Sequence, residues 1–276
     1  MNVLKLAAFS KNGQGGNPAG VAFYDEMPSE SEMLAIAKEV GYSETAFLVK
    51  QADGWRVRYF APEMEVPFCG HATIALGVAL GERFGEGTYQ LHLNDSQISV
   101  RAEKTTGGMS ATLQSPATWS EDAPQEYVGK VLAAFNLTKE QLDPRFPVRL
   151  AGAGAKHLII FLKERKTLAE MSYPFEEVRA LMAEHGLVTI SLLWNESDDV
   201  FHSRNAFASG GVYEDPATGA AAAALAGYLR DIGWNGASTF TILQGEDMSV
   251  PSRLTVSFTP KAGESVTVGG EVRHIE

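Results

Sequence analysis

The chain is written twice. Residues 65–76, EVPFCGHATIAL, lie over residues 214–225, EDPATGAAAAAL, and six of the twelve positions coincide without a gap. Two of the matches are alanines in a low-complexity run, so the weight rests on the Glu-x-Pro-x-x-Gly frame. Residues 39–48, EVGYSETAFL, lie over 184–193, EHGLVTISLL, and 97–100, QISV, over 247–250, DMSV. The offsets of 149, 145 and 150 keep the segments in order and nearly in step. Self-similarity of this kind is the mark of two homologous halves. Their junction falls near 115–128, where SPATWSEDAP gathers proline, serine and acid. The expected organisation is a first half over 1–115, completed by residues at about 268–276, and a second half over 116–267.

Each half reads as strands, a helix, strands, a second helix and strands again. Residues 29–41, SESEMLAIAKEVG, open with a serine cap and a glutamate three positions later. They place Met33, Leu34, Ala37 and Val40 on one face and stop at Gly41. Residues 174–186, PFEEVRALMAEHG, have the same design. The second helix of each half, GHATIALGVALGE or PATGAAAAALAGYL, is apolar or small on every side. A helix with no polar face must be buried all round. A sheet curled around it achieves that, which predicts an α+β fold of two pseudo-symmetric halves. Each is a mixed or antiparallel barrel-like sheet wrapped around a central helix. Ligands favour the cleft between such halves.

Composition narrows the partners. A formal net charge of −11 argues against nucleic acid and anionic membrane, which reward a basic face. The longest apolar run, GAAAAALAG, is too short to span a bilayer, and the first residues lack the regions of a signal peptide. The lone cysteine forms no internal disulfide, which suits a reducing, cytoplasmic setting.

The repeat also acts as a filter. Residues that serve the fold recur in both halves, whereas a catalytic site need not be symmetric. Glu44 lies over Thr189, His71 over Ala220 and Asp215 over Val66. Glu44 opens the apolar strand TAFLV, where burial raises a carboxyl pKa and suits it to proton transfer. The lesser alternative is a surface acid at a strand edge. Asp215 precedes Pro216 and also fits a helix N-cap before a first-turn proline. His71 is read as a catalytic or a structural histidine. Gly70 and Gly219 occupy equivalent places at the two buried helix starts, where free amides and a partial positive charge hold carboxylates; plain turns are the other reading. Cys69 lies over Thr218, so catalysis by two thiols is excluded. Cys69 and His71, two residues apart at a helix start, are expected to make a poor thiolate–imidazolium pair, and Cys69 reads as a small buried thiol. GAGAKH at 152–157 lacks a P-loop ending, no GxGxxG opens a helix after a strand, and the histidines show no metal spacing. No cofactor and no metal are expected.

GNPAGVAFY (16–24), GYSETAFL (41–48), FAPEMEVPFCGHATIALG (60–77) and EDPATGAAAAAL (214–225), in this order, resemble the phenazine-biosynthesis PhzF-like family, relatives of diaminopimelate epimerase. The likeness runs to VTVGGEVR (266–273). It implies the diaminopimelate epimerase-like fold and cofactor-independent isomerase or epimerase chemistry on a small, carboxylate-bearing and in one case cyclic substrate. Glu44 matches the family's proton-moving glutamate. His71 and Asp215 match residues that orient substrate and adjust the shuttle, and Asn17 matches a residue of the same cleft. Gly70, Cys69, Gly219 and Ala220 fall on substrate-binding positions. Ala220 departs from the pattern, because the phenazine enzyme carries a serine there. A non-catalytic metabolite-binding protein that keeps the cleft is the alternative. A homodimer is the family's tendency.

Overall fold

The capping signals act at both ends of the first amphipathic segment. The computed structural model describes residues 3–94, 96–106 and 108–275. In it, Ser29 and Glu32 close a reciprocal capping box on α1 (Glu30–Val40), and Gly41 ends the helix at a φ of 71°. That left-handed conformation costs glycine nothing.

The chain divides into two units, Met1–Gln114 with Gly269–Glu276, and Ser115–Val268. The first begins with β1 (Leu4–Ser10), β2 (Asn17–Tyr24), β3 (Glu44–Gln51), β4 (Gly54–Phe60) and the short β5 (Glu65–Val66). The helix α2 (Gly70–Phe84) follows, then β6 (Gly87–His92), β7 (Gln97–Thr105) and β8 (Gly108–Gln114). β1 and β2 are antiparallel, β2 and β3 parallel, β3 and β4 antiparallel, and β4 and β6 parallel. β6, β7 and β8 form an antiparallel meander. The strand Thr267–His274 pairs with both β1 and β8, so the sheet closes into a ring.

Inside that ring lies α2, buried at every position from Ala72 to Gly81. Small residues let it approach the sheet. A methyl group on Gly77 would stand 2.5 Å from Val100 Cγ2, and one on Gly81 would stand 2.6 Å from Ala102 Cβ. Outside the ring, α1 lays Met33 and Ala37 over Ala22, Phe47 and Phe60. Burying a side chain as large as Phe47 contributes roughly 1.5–3 kcal/mol.

The second unit contains β9 (Trp119–Asp122), α3 (Gln125–Ala134), β10 (Arg149–Gly152), β11 (Lys156–Leu162), α4 (Arg165–Ala169) and α5 (Phe175–His185). It continues with β12 (Thr189–Ser197), β13 (Val200–Ala206), β14 (Glu214–Asp215), α6 (Gly219–Asp231), β15 (Thr239–Gln244) and β16 (Ser252–Ser257). The strand that closes the first unit is β17. Pairing repeats that of the first unit: β11 with β12 parallel, β12 with β13 antiparallel, β13 with β15 parallel and β15 with β16 antiparallel. The all-apolar α6 is buried from Ala221 to Leu229. A second apolar layer lies under α3 and α5, where Val131, Val178 and Met182 meet Leu158, Ile160 and Ile190. Mixed α+β units, each with a sheet around a buried helix, are therefore the architecture.

Register locates the repeat residue by residue. Ala19 pairs with Glu44 as His157 pairs with Thr189, and Tyr59 with Val66 as Asn205 with Asp215. One overlay fails. Residues 97–100 begin β7, whereas 247–250 lie in a turn before β16. The hairpins instead match Gln97, opposite His92, with Ser252, opposite Gln244. The likeness of QISV to DMSV is chance. No helix among the described residues is long and apolar enough to cross a membrane.

Candidate active site

Glu44 is the first residue of β3, and His71 the second of α2. β4 and β5 carry the chain from one to the other, so that Glu44 Oε2 lies 3.4 Å from His71 Nε2. The Glu44 side chain keeps 20% of its surface and that of His71 11%. Oε2 itself is shut off from solvent and takes no hydrogen bond. Ser43 Oγ stands 3.3 Å from the same His71 nitrogen. Sequence reasoning passed over Ser43, although it sits inside the SET motif beside Glu44.

Cys69 corrects an expectation. As N-cap of α2 it is extended, with φ −139° and ψ 117°. That conformation turns the thiol along the first helical turn and brings Sγ to 3.4 Å from His71 Nδ1. The two side chains do meet, despite their short spacing. Cys69 is also buried, as a space-filling thiol would be. A short relay holds its carbonyl: Tyr59 donates to Thr73 Oγ1, 2.6 Å away, and Thr73 Oγ1 donates to Cys69 O, also at 2.6 Å. Burial pushes the Tyr59 hydroxyl pKa far up, so it remains a donor.

The first backbone bond of α2 runs from Thr73 N to Cys69 O, which leaves the amides of Gly70, His71 and Ala72 without an intrahelical acceptor. A methyl group placed on Gly70 would meet nothing within 4 Å. Asn17, buried at the start of β2, lies on the same strand face as Ala19, the register partner of Glu44. Glu44, Ser43, Cys69, Gly70 and His71 thus gather at one end of α2, with Asn17 nearby in register.

Asp215, Gly219 and Ala220 belong to the second unit. Asp215 ends β14, and α6 begins at Gly219 with Thr218 as its N-cap. The N-cap reading of Asp215 is therefore overturned: Pro216 lies outside the helix. Thr218 Oγ1 donates instead to Asp215 Oδ2, at 2.5 Å. Gln244 fastens this turn, donating to Asp215 O and accepting from Thr218 N. Gly219 and Ala220 follow, both half-buried.

The glutamate of the repeated frame proves structural. Glu65 takes a two-pronged ion pair from Arg58, at 2.8 and 2.5 Å, and Glu214 the same from Arg204, at 3.0 and 2.5 Å. The Arg58 guanidinium holds the Glu65 carboxyl below the usual carboxylate range. Each pair ties the short strand β5 or β14 to its neighbour, just ahead of the buried helix.

The phenazine biosynthesis-like protein family, PhzC-PhzF, matches residues 6–274. The chain belongs to this family. It is 29% identical to the uncharacterized isomerase YfhB of Bacillus subtilis, over 95% of this chain and 92% of that protein. A PhzF-family phenazine biosynthesis protein of Bacillus anthracis shares the fold at a TM-score of 0.88 and 23% identity, covering 99% of this chain and 96% of that one. A predicted epimerase of Pseudomonas aeruginosa gives 0.83 and 25% with the same coverage. With relatives of this kind, the PhzC-PhzF chain described here is an isomerase in class.

Proposed function

We propose that this isomerase moves a proton on a small carboxylate-bearing substrate without a cofactor, with Glu44 as the general acid and base. One observation carries the reading. Glu44 presents a solvent-shielded oxygen with no hydrogen bond, 3.4 Å from His71, at the end of a helix whose first amides have no acceptor within the helix. The amides of Gly70 and His71 hold the substrate carboxylate and stabilise negative charge as it develops. Glu44 takes a proton from the adjoining carbon, leaving an electron pair delocalised toward that carboxylate. It then returns the proton to another carbon or to the opposite face. His71 stabilises whichever form of Glu44 the step creates, and Ser43 orients the ring. Asn17 and Cys69 line the place where substrate sits.

The test is a panel of small carboxylic acids incubated with the protein in heavy water and read by mass spectrometry. A hit gains deuterium only with enzyme present, and Glu44→Gln abolishes the gain while its melting curve matches wild type. Exchange at the wild-type rate in that variant removes Glu44 from the role. Ala220, which lacks the hydroxyl of the family serine, favours a second reading in which the site binds without turnover. A ligand that raises the melting temperature and never exchanges selects that reading.

A further inference from the structure

Glu44, Cys69 and His71 offer a carboxylate oxygen, a thiol sulfur and an imidazole nitrogen, all within 4.8 Å of one another. They are the sole such group of three or more among the described residues. We infer that these side chains form a binding site for Zn2+. Mixed sulfur, nitrogen and oxygen donors suit zinc, whereas magnesium and calcium call for oxygen alone.

The spacing suits zinc as well. His71 Nε2 lies 3.4 Å from Glu44 Oε2 and 3.9 Å from Cys69 Sγ, which stands closer to Nδ1, at 3.4 Å. Donors bound tetrahedrally to zinc at about 2.0–2.3 Å stand roughly 3.3–3.6 Å apart. Closing the trio on Nε2 needs the Cys69 side chain to turn from the Nδ1 side of the ring toward Glu44. Little ordering is needed, because β3 fixes Glu44 while the helix start fixes Cys69 and His71. Three protein ligands leave one corner of the tetrahedron for water or for an anion. No sequence spacing announces the site, since one ligand lies on β3 and the others at the start of α2. Metal binding rests on this donor geometry alone; its consequence, that zinc takes Glu44 out of proton transfer, rests on the function proposed above.

Cobalt tests the site directly. The chain has a single cysteine, so any thiolate-to-cobalt charge-transfer band must come from Cys69. Chelator-treated full-length protein titrated with Co2+ alone is expected to develop that band and tetrahedral visible bands at one equivalent, and Zn2+ to erase them. Cys69→Ser, close in shape, should lose the charge-transfer band. Glu44→Gln and His71→Ala should weaken cobalt binding at least about tenfold, with melting curves confirming that each variant is folded. No band in wild type at excess Co2+, or unchanged affinity in both Glu44→Gln and His71→Ala, overturns the site. Because the readout needs no substrate, a negative deuterium-exchange result leaves it intact. Where an exchanging substrate is found, one equivalent of Zn2+ should stop exchange, and continued exchange in the zinc-loaded protein overturns the inhibitory consequence.

Discussion

His157 Nδ1 and Thr189 Oγ1 meet at 2.8 Å between the parallel strands β11 and β12, in the register place that Ala19 and Glu44 hold in the other unit. One half of the repeat keeps an acid there. The other keeps a wholly buried imidazole whose Nε2 has no partner.

That burial makes a pH prediction. Desolvation pushes the His157 pKa from 6.5 down to about 3. On acidification the unfolded chain takes up the proton first, so this group's contribution is intact above about pH 6.5 and is lost as pH falls toward 3. The loss approaches about 1.4 kcal/mol per pH unit. His157→Leu should flatten the fall in stability between pH 6 and 4 when both proteins are unfolded by urea. Equal slopes in the two would refute it.

The two Arg–Glu pairs differ in burial, which sets their mutational cost. Arg204 and Glu214 keep 10% and 3% of their side-chain surface, against 19% and 20% for Arg58 and Glu65. Glu214→Ala takes the two-pronged carboxylate from a buried guanidinium, leaving it Ala169 O and the more distant Asp247, and should cost up to about 3–5 kcal/mol. Glu65→Ala should cost distinctly less, because water reaches Arg58. Denaturant midpoints in the reverse order would contradict this.

Two glycines on one helix should respond differently to alanine. Gly77→Ala drives a methyl group against Val100 and Ala111 and should destabilise by about 1–3 kcal/mol. Gly70→Ala enters open space and should leave the melting temperature nearly unchanged. Any effect of Gly70→Ala on substrate would then be local to the helix start. A large melting shift there would refute the prediction.

The relay onto the N-cap can be cut with little change of shape. Thr73→Val leaves the buried Tyr59 hydroxyl without its acceptor and should cost about 1–3 kcal/mol. Adding Tyr59→Phe should recover most of that, since both partners are then apolar. A double variant as unstable as Thr73→Val alone would show that the relay is not the cause.

What the sequence made legible was local or repeated. Ser29, Glu32 and Gly41 announce α1 because capping acts within a few residues. The all-apolar α2 and α6 announce a surrounding sheet. The Arg–Glu pairs stayed hidden, because Arg58 stands seven residues before its partner and Arg204 ten. No gap-free overlay aligns both ends. The contact of Cys69 with His71 depends on a backbone torsion that residue spacing does not encode, and Asp215 looked like a cap because Pro216 imitates a helix start. Among the candidate site residues, the gathering of Glu44, Cys69, Gly70 and His71 followed from the family likeness and the helix start together. Ser43 shows its place only through its 3.3 Å approach to His71 Nε2, across 28 residues of chain.

The ring around α2 is finished by a segment translated only after the whole of the second unit. Leu6 waits for His274, Ala7 for Arg273, and Gly15 O for the Arg273 guanidinium. On the ribosome, then, the earlier-made barrel stays ajar until synthesis has passed through the whole of the later one.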